Sequence, residues 1–345
     1  MHLEDDLRAL YYRLTDTLSA LARDGRGYDR LSIPLAWLRR VEKRFGGPGG
    51  AQAYKCHLRR VFPDRTERWR RRTLAGYWRN HQRRILSLYR TALLTRECLD
   101  DTVEWSGLDA FREAADSGDG VLLLVPHYGD ERTLHILLGM AGLDVHVLTS
   151  RYADAPSLIR ERRLMVSRRW NSLHFPEENP AWMLKVLNSG GIVHFAPTSW
   201  GGVRGQWLEA FGVPVLTTTV HRRLHQRTGC RVFLGWNNIL PGMRYSVELE
   251  AFGPPTGRDS FNRLLFERIE ARARRQPRQY DWMNLIIRHR ETNTMVRLGG
   301  VPRRERVLEE SALPIDWDAN LAAELEEVEA LPPLGNDTGG SPVST

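Results

Sequence analysis

The sequence predicts an α/β protein, with a mostly parallel central sheet, helices on both faces and an N-terminal helical region before it. From about residue 103, short apolar runs alternate with segments of helical periodicity, as in strand–helix–strand units. The run at 120–126 is continuously apolar, which is typical of a central strand that is buried on both faces. Before residue 103, apolar residues recur at three- and four-residue steps, which indicates helices.

The first two helices are predicted at residues 3–23 and 32–45, with Ser32 as the N-cap of the second. The second helix carries Ile, Trp, Val and Phe on one stripe, with Arg and Lys beside it. Such a stripe either packs into a core or lies at a membrane interface. Both interpretations stay open at this point.

Residues 51–96 predict two further helices that are separated at Pro63, with Asp64 or Thr66 as the cap of the second. The second of these helices interleaves many arginines with Trp and Tyr. Because the aromatic residues recur at helical spacing, we expect them to be buried while the arginines face water. Arg with aromatics also suits nucleic acid, but nothing in the chain resembles a nucleic-acid-binding module, so we expect no such partner.

The core is predicted to span residues 101–295, between a helical region at 1–100 and an acidic C-terminal segment at 296–345 whose end is expected to be disordered. The predicted strands cover 103–107, 120–126, 145–149, 191–197, 230–240 and 245–252. The predicted helices cover 108–116, 131–142, 155–170, 179–190, 215–229 and 260–276.

The charge of the chain is unevenly distributed. The formal net charge is +8, from 50 basic and 42 acidic residues. Residues 1–100 hold 22 basic and 11 acidic side chains, whereas residues 301–345 hold 3 basic and 10 acidic ones. A basic front half predicts an anionic partner, such as an acidic carrier protein, a phosphorylated cosubstrate or a phospholipid surface. Solvated helix faces are the alternative interpretation.

The sequence lacks the patterns of disulfide-rich, zinc-binding, secreted and membrane-spanning proteins. The three cysteines are scattered and form neither a zinc pattern nor a disulfide framework, which suits a reducing cytoplasm. The histidine pair of HRRLH (221–225) lacks the Glu and the third ligand of a zinc site, so we expect no metal. No Gly-rich segment follows a strand as a phosphate loop must, so we expect no cofactor. No secretory signal is visible, and no run of about 18 apolar residues predicts a spanning helix. The expected location is therefore cytoplasmic, with peripheral contact at the inner face of the cell membrane through the first two helices.

The segment PHYGDER, residues 126–132, is the strongest candidate for a catalytic site. It follows the most apolar strand and precedes a helix, and ligands of open α/β sheets bind beyond the carboxyl ends of strands. His127 is placed there as a general base, and Asp130 or Glu131 is close enough in sequence to orient it. An exposed loop histidine beside a helix-capping Asp is the alternative.

Four segments together resemble the bacterial lipid A biosynthesis acyltransferases, within the lysophospholipid acyltransferase superfamily. They are LRRVFPDRTERWRRRTLAGYWRN (58–80), VEWSGLDAFREAADSGDGVLLLVPHYGDE (103–131), LNSGGIVHFAP (187–197) and RRQPRQYDWMNLIIRHR (274–290). Each segment alone is a weak match, but their order and spacing make the combination specific. The family's N-terminal membrane helix has no counterpart in residues 1–45.

The resemblance implies an acyltransferase that moves an acyl group from a thioester of acyl carrier protein or coenzyme A to a hydroxyl or amine. In that family a His, four residues and an acid form the catalytic signature. His127 matches the base, but Arg132 stands at the position of the acid, so Glu131 or Asp130 would have to replace it. Pro197 and Thr198 stand where the family places Asp and Gln, which implies a changed acceptor.

Four arginines are further candidates for binding donor or acceptor phosphates, since a guanidinium matches phosphate geometry. Arg151 and Arg162 or Arg163 resemble basic residues of the family, and Arg204 lies at the carboxyl end of a predicted strand. A surface arginine without such a role is the alternative for each. The departures from the family's pattern leave two alternatives beside the main prediction. One is a non-catalytic member that binds a carrier protein or a lipid. The other is an acyltransferase of specialised metabolism with a soluble acceptor.

Overall fold

The computed structural model describes most of the chain up to residue 297. The described residues are 3–22, 24–45, 58–59, 61–148, 165–174, 181–198, 205–253, 260–282, 286–289 and 294–297. The predicted acidic segment at 296–345 lies almost entirely outside them.

The strands form one large and one small sheet. They are β1 (Val103–Ser106), β2 (Val121–Leu124), β3 (Val145–Leu148), β4 (Ser172–His174), β5 (Ile192–Phe195), β6 (Gly205–Ala210), β7 (Val213–Thr218), β8 (Arg231–Ile239), β9 (Tyr245–Ala251), β10 (Ile286–His289) and β11 (Thr294–Arg297). The seven-stranded sheet has the order β1-β9-β8-β2-β5-β3-β4, and the four-stranded sheet has the order β11-β10-β7-β6. In the large sheet all neighbours pair in parallel except β8 and β9.

The helices that surround the sheet are α1 (Leu3–Leu21), α2 (Gly25–Phe45), α3 (Glu67–Ala92), α4 (Leu108–Asp116), α5 (Glu131–Met140), α6 (Ala181–Asn188), α7 (Val220–Thr228) and α8 (Ser260–Arg275). A single helical turn covers Leu99–Thr102, and residues 165–170 are also helical. The predicted fold class, with its N-terminal helices, is confirmed.

Strand β2 lies at the centre of the large sheet, and all four of its residues are buried. Leu122 and Leu124 pack into a hydrophobic cluster that includes Trp282. Val121 and Leu123 pack on the opposite face, in a cluster that includes Leu134 of α5. The continuous apolar run therefore arises because both faces of the strand are covered, as predicted.

The helix predicted at 215–229 is wrong in its first part. Residues Val213–Thr218 form β7, which pairs antiparallel with β6 in a hairpin, and the helix begins only at Val220. The Val- and Thr-rich run favours a strand because β-branched side chains pack well on a pleated surface. None of the strands of the small sheet was predicted from the sequence, because they are short and lie beside helical or polar segments.

The helix predicted at 32–45 begins earlier, at Gly25. Asp24 Oδ1 accepts a hydrogen bond from the Gly27 N–H at 2.7 Å, which satisfies one of the free donors of the first turn. Ser32 is therefore an interior residue and no cap, and its hydroxyl donates to the Asp29 carbonyl. For α3, the choice between two predicted caps is settled in favour of Thr66, whose hydroxyl accepts from the Trp69 N–H at 3.2 Å.

Candidate active site

His127 lies just beyond the carboxyl end of β2, in the loop that leads into α5. The Val125 N–H donates to the Phe195 carbonyl at 2.9 Å, so the pairing of β2 with β5 continues past the ends of both strands. The side chain of His127 is half-buried. The structure therefore places this histidine at the edge of the sheet where ligands of α/β proteins bind.

The loop around His127 is held by main-chain contacts from two other parts of the chain. Asp130 N–H donates to the Asn237 carbonyl of β8 at 2.7 Å, and Asp281 N–H donates to the His127 carbonyl at 2.8 Å. Between them, Gly129 has a φ of 62°, and a Cβ there would lie 1.9 Å from the Asn237 carbonyl oxygen. Glycine is required at this position by both the conformation and the close approach.

The His127 ring contacts the Thr198 side chain. Nδ1 lies 2.6 Å from Thr198 Oγ1, just after the end of β5. Burial lowers the pKa of His127, nearby Glu131 and Asp281 raise it, and Arg132 lowers it; the net shift is downward. The imidazole is therefore neutral at neutral pH, which is the form that a general base needs.

A buried ion cluster lies beside His127. The Arg84 guanidinium of α3 donates to Glu131 Oε2 and to Asp281 Oδ2, both at 3.2 Å. Only 3% of the Arg84 side chain is exposed, against 8% for Glu131 and 6% for Asp281. The Tyr77 hydroxyl donates to the other Asp281 oxygen at 2.9 Å. One cation thus holds two carboxylates from distant parts of the chain.

Glu131 is ionised in this cluster. Burial alone would raise its pKa, but Arg84 and Arg132 outweigh the burial, and the pKa falls to about 2. Arg132 Nε lies 3.4 Å from Glu131 Oε1. The arginine at the expected acid position therefore pairs with the neighbouring carboxylate and does not displace it.

Asp130 is turned away into the start of α5. Its Oδ2 accepts from the Thr133 hydroxyl at 2.7 Å, and its carbonyl accepts from Asn237 Nδ2 at 2.9 Å. Burial raises the pKa of Asp130 to about 6. Of the two candidate carboxylates, Glu131 is the one whose charge acts strongly on His127, while Asp130 has the contacts of a residue that stabilises the loop.

The four candidate phosphate-binding arginines, Arg151, Arg162, Arg163 and Arg204, lie outside the described residues. The two histidines of the segment HRRLH (221–225) in α7 have separate partners: His221 Nε2 contacts Asn262 Oδ1 at 2.7 Å, and His225 Nδ1 contacts the Cys230 carbonyl at 2.9 Å. Within the described ranges, no three His, Cys, Asp or Glu side chains are grouped as metal ligands would be.

The expectation that the arginines of α3 face water is wrong for Arg83 and Arg84, which are 8% and 3% exposed. Arg83 donates to the Ile239 carbonyl, and Arg84 forms the ion cluster. Sequence reasoning also missed Asp281 as a site residue and treated Thr198 only as a departure from a family pattern. The only signal for Asp281 was that it lies in one of the four resembling segments.

A model of the family described as bacterial lipid A biosynthesis acyltransferase matches residues 33–288. The matched region covers well over half of the chain and includes His127, the whole ion cluster and Thr198. The chain belongs to this acyltransferase family. A search among curated proteins finds no match.

The matched region includes β2 and β5, at whose carboxyl ends the candidate site lies. It also includes α3, which supplies Arg84. The matched region begins within α2, so α1 lies before it. Among the described helices, none is both long enough and apolar enough to cross a bilayer.

Replacing Arg84 is expected to be strongly destabilising, because it leaves two buried carboxylates without their shared cation. Arg84→Leu should lower the free energy of unfolding by about 3–5 kcal/mol, the range for breaking a buried ion pair from one side. Urea denaturation followed by circular dichroism measures this. The matched control is Arg72→Leu, an exposed arginine of the same helix, which should change the value by less than about 0.5 kcal/mol. Equal stability of the two variants would contradict the role assigned to Arg84.

Proposed function

We propose that this family member transfers an acyl group from the thioester of acyl carrier protein or coenzyme A to a hydroxyl or amine acceptor, with His127 as general base. The observation that carries the proposal is the placement of a neutral, half-buried imidazole at the ligand-binding edge of the sheet, beside an ionised Glu131. A histidine whose pKa lies below its usual value is free to accept a proton at neutral pH.

The reaction follows from this arrangement. His127 takes the proton of the acceptor O–H or N–H while the acceptor atom attacks the thioester carbonyl carbon. The tetrahedral intermediate then collapses, the C–S bond breaks, and the proton on His127 passes to the thiolate that leaves. The fixed negative charges of Glu131 and Asp281 favour the imidazolium that exists between these two proton transfers.

The surface of α3 supports an anionic donor. Four arginines near its N-terminal end are exposed: Arg65, Arg68, Arg71 and Arg72. Three of them line a surface depression together with Glu67 and Ala75. From Arg72 to Tyr77, which contacts the ion cluster, is five residues, or about 8 Å along a helix axis. An acidic carrier protein or the phosphates of coenzyme A would meet positive charge close to the site.

The outer face of the α1–α2 hairpin supports contact with an anionic membrane surface. On this hairpin the buried side includes both polar residues (Thr15, Ser19 and Ser32) and apolar ones (Tyr11, Tyr28 and Leu35), while other apolar residues are exposed. The outward apolar residues are Leu10, Leu14, Leu21, Ile33 and Trp37, which are 37–71% exposed. Exposed Arg13, Arg30 and Arg40 lie along the same helices. Apolar residues flanked by arginines suit the boundary between lipid headgroups and acyl chains, so we propose peripheral binding at the cytoplasmic leaflet.

Removing the imidazole is expected to abolish most of the transferase activity. His127→Ala should lower kcat by about 10²-fold or more, the usual contribution of a general base. The assay follows transfer from acyl carrier protein and coenzyme A thioesters to a panel of hydroxyl and amine acceptors, including lipid A precursors and lysophospholipids, by mass spectrometry. The control is His225→Ala, a histidine of α7 outside the site, which should keep the wild-type rate.

Two results would contradict the proposed chemistry. One is an active wild-type protein whose His127→Ala variant transfers acyl groups at the same rate. The other is a wild-type protein that binds acyl carrier protein or lipid but transfers nothing to any acceptor in the panel, since that is the behaviour of a non-catalytic member. Transfer only to water-soluble acceptors would instead favour the specialised-metabolism alternative.

Loss of the outward apolar side chains is expected to weaken membrane binding without affecting the fold. The double variant Ile33→Ser, Trp37→Ser should bind phosphatidylglycerol vesicles at least about tenfold more weakly, since partial burial of two large side chains is worth more than ~1.4 kcal/mol. Vesicle sedimentation measures the binding. Leu93→Ser is the matched control, an exposed leucine at the end of α3. Wild-type binding equal for phosphatidylglycerol and phosphatidylcholine, or unaffected by the double substitution, would contradict this surface.

A further inference from the structure

Thr198 is held against His127 in a buried position. Its Oγ1 lies 2.6 Å from His127 Nδ1 and 3.4 Å from the His127 main-chain nitrogen, whose N–H points to it. Only 5% of Thr198 is exposed. Because bulk water has little access to this hydroxyl, water does not compete for its hydrogen bond with the imidazole.

The position of Thr198 follows from the sheet. Strands β2 and β5 are neighbours in parallel register, with Leu124 opposite Phe195, so the residues that follow them leave the same edge together. The Thr217 hydroxyl of β7 donates to the Pro197 carbonyl at 3.2 Å. The segment that carries Thr198 is therefore tied to the large sheet on one side and to the small sheet on the other.

In a neutral imidazole, this contact determines which of the two ring nitrogens carries the proton. A neutral histidine carries one ring proton, on either Nδ1 or Nε2, and only the nitrogen without the proton can act as base. An acceptor beside Nδ1 favours the tautomer with the proton on Nδ1, which leaves the lone pair on Nε2. A hydroxyl oxygen has the lone pairs to accept this proton.

The two candidate carboxylates of the loop have other contacts. Glu131 pairs with Arg84 and Arg132, and Asp130 accepts from Thr133. We propose that Thr198 is a positioning residue for His127: its hydroxyl oxygen accepts the Nδ1 proton and so reserves Nε2 for the proton of the acceptor substrate. The inference rests on the proposed role of His127 as general base.

The tautomer test is independent of activity. In protein labelled with ¹⁵N-histidine, the ring nitrogens of His127 should show the proton on Nδ1, and Thr198→Val should shift the population towards the tautomer protonated on Nε2. His127→Ala identifies the resonances. A wild-type ring protonated on Nε2, or a Thr198→Val ring identical to wild type, would overturn the proposal.

The kinetic test uses matched substitutions. Thr198→Val should lower kcat at least about tenfold with little change in KM, the scale known for the orienting partners of metal-bound histidines, while Thr198→Ser should keep most of the activity. Thr91→Val is the control, a buried threonine of α3 whose hydroxyl bonds the Ser87 carbonyl at 2.9 Å. If the Thr198→Val variant is as active as the wild type while the separate His127→Ala variant is inactive, this inference is overturned and the proposed function stands.

A nucleophilic threonine is the competing explanation, since a hydroxyl beside an imidazole is also the arrangement of covalent catalysis. Intact-protein mass spectrometry after mixing with the thioester donor, without acceptor, separates the two. The positioning role predicts no acyl group on the protein. An acyl ester on Thr198, or on the serine of Thr198→Ser, that is absent from Thr198→Val would overturn it.

Discussion

The interaction of Arg84 with Glu131 and Asp281 determines the arrangement of the candidate site. It joins α3, the start of α5 and the segment that follows α8, three parts of the chain that are far apart in sequence. Charges removed from water are stable only when paired and hydrogen-bonded, so each of the three requires the other two. Because the main chain of Asp281 also bonds the His127 carbonyl, the same cluster fixes the loop that carries the imidazole.

In the proposed mechanism, two tasks that the resemblance assigns to one carboxylate fall to different residues. The charge comes from Glu131 and Asp281, which are ionised because Arg84 neutralises them and which raise the pKa of His127. The contact at Nδ1 comes from the neutral hydroxyl of Thr198. A neutral partner stabilises the imidazolium less than a carboxylate in direct contact would. Burial, the largest effect, therefore still keeps the pKa of His127 below its usual value.

The sequence predicted those features that depend on local pattern. The apolar run of β2 located the centre of the sheet, and its carboxyl end located His127. It did not predict Arg84, because α3 carries an arginine every few residues and nothing in the spacing separates Arg84, which is buried, from Arg72, which faces water. The role of Asp281 could not be predicted for another reason. Its contact with the His127 loop depends on the path of the chain after α8, which is not a local sequence pattern. The β6–β7 hairpin was not predicted, because α7 follows β7 directly and the two were read as one helix.

The acidic limb of the pH dependence of kcat/KM is the sharpest test of His127 as general base, because it reports the pKa of His127 in the free enzyme. We expect a midpoint below pH 6.5 for the wild type, with activity lost as the pH falls through it. Since the charge of Glu131 raises this pKa, Glu131→Gln should move the midpoint lower, whereas Asp130→Asn should leave it in place. A midpoint that moves with Asp130→Asn and ignores Glu131→Gln would contradict the assignment of the acid, and a rate without any acidic limb would contradict His127 as the base.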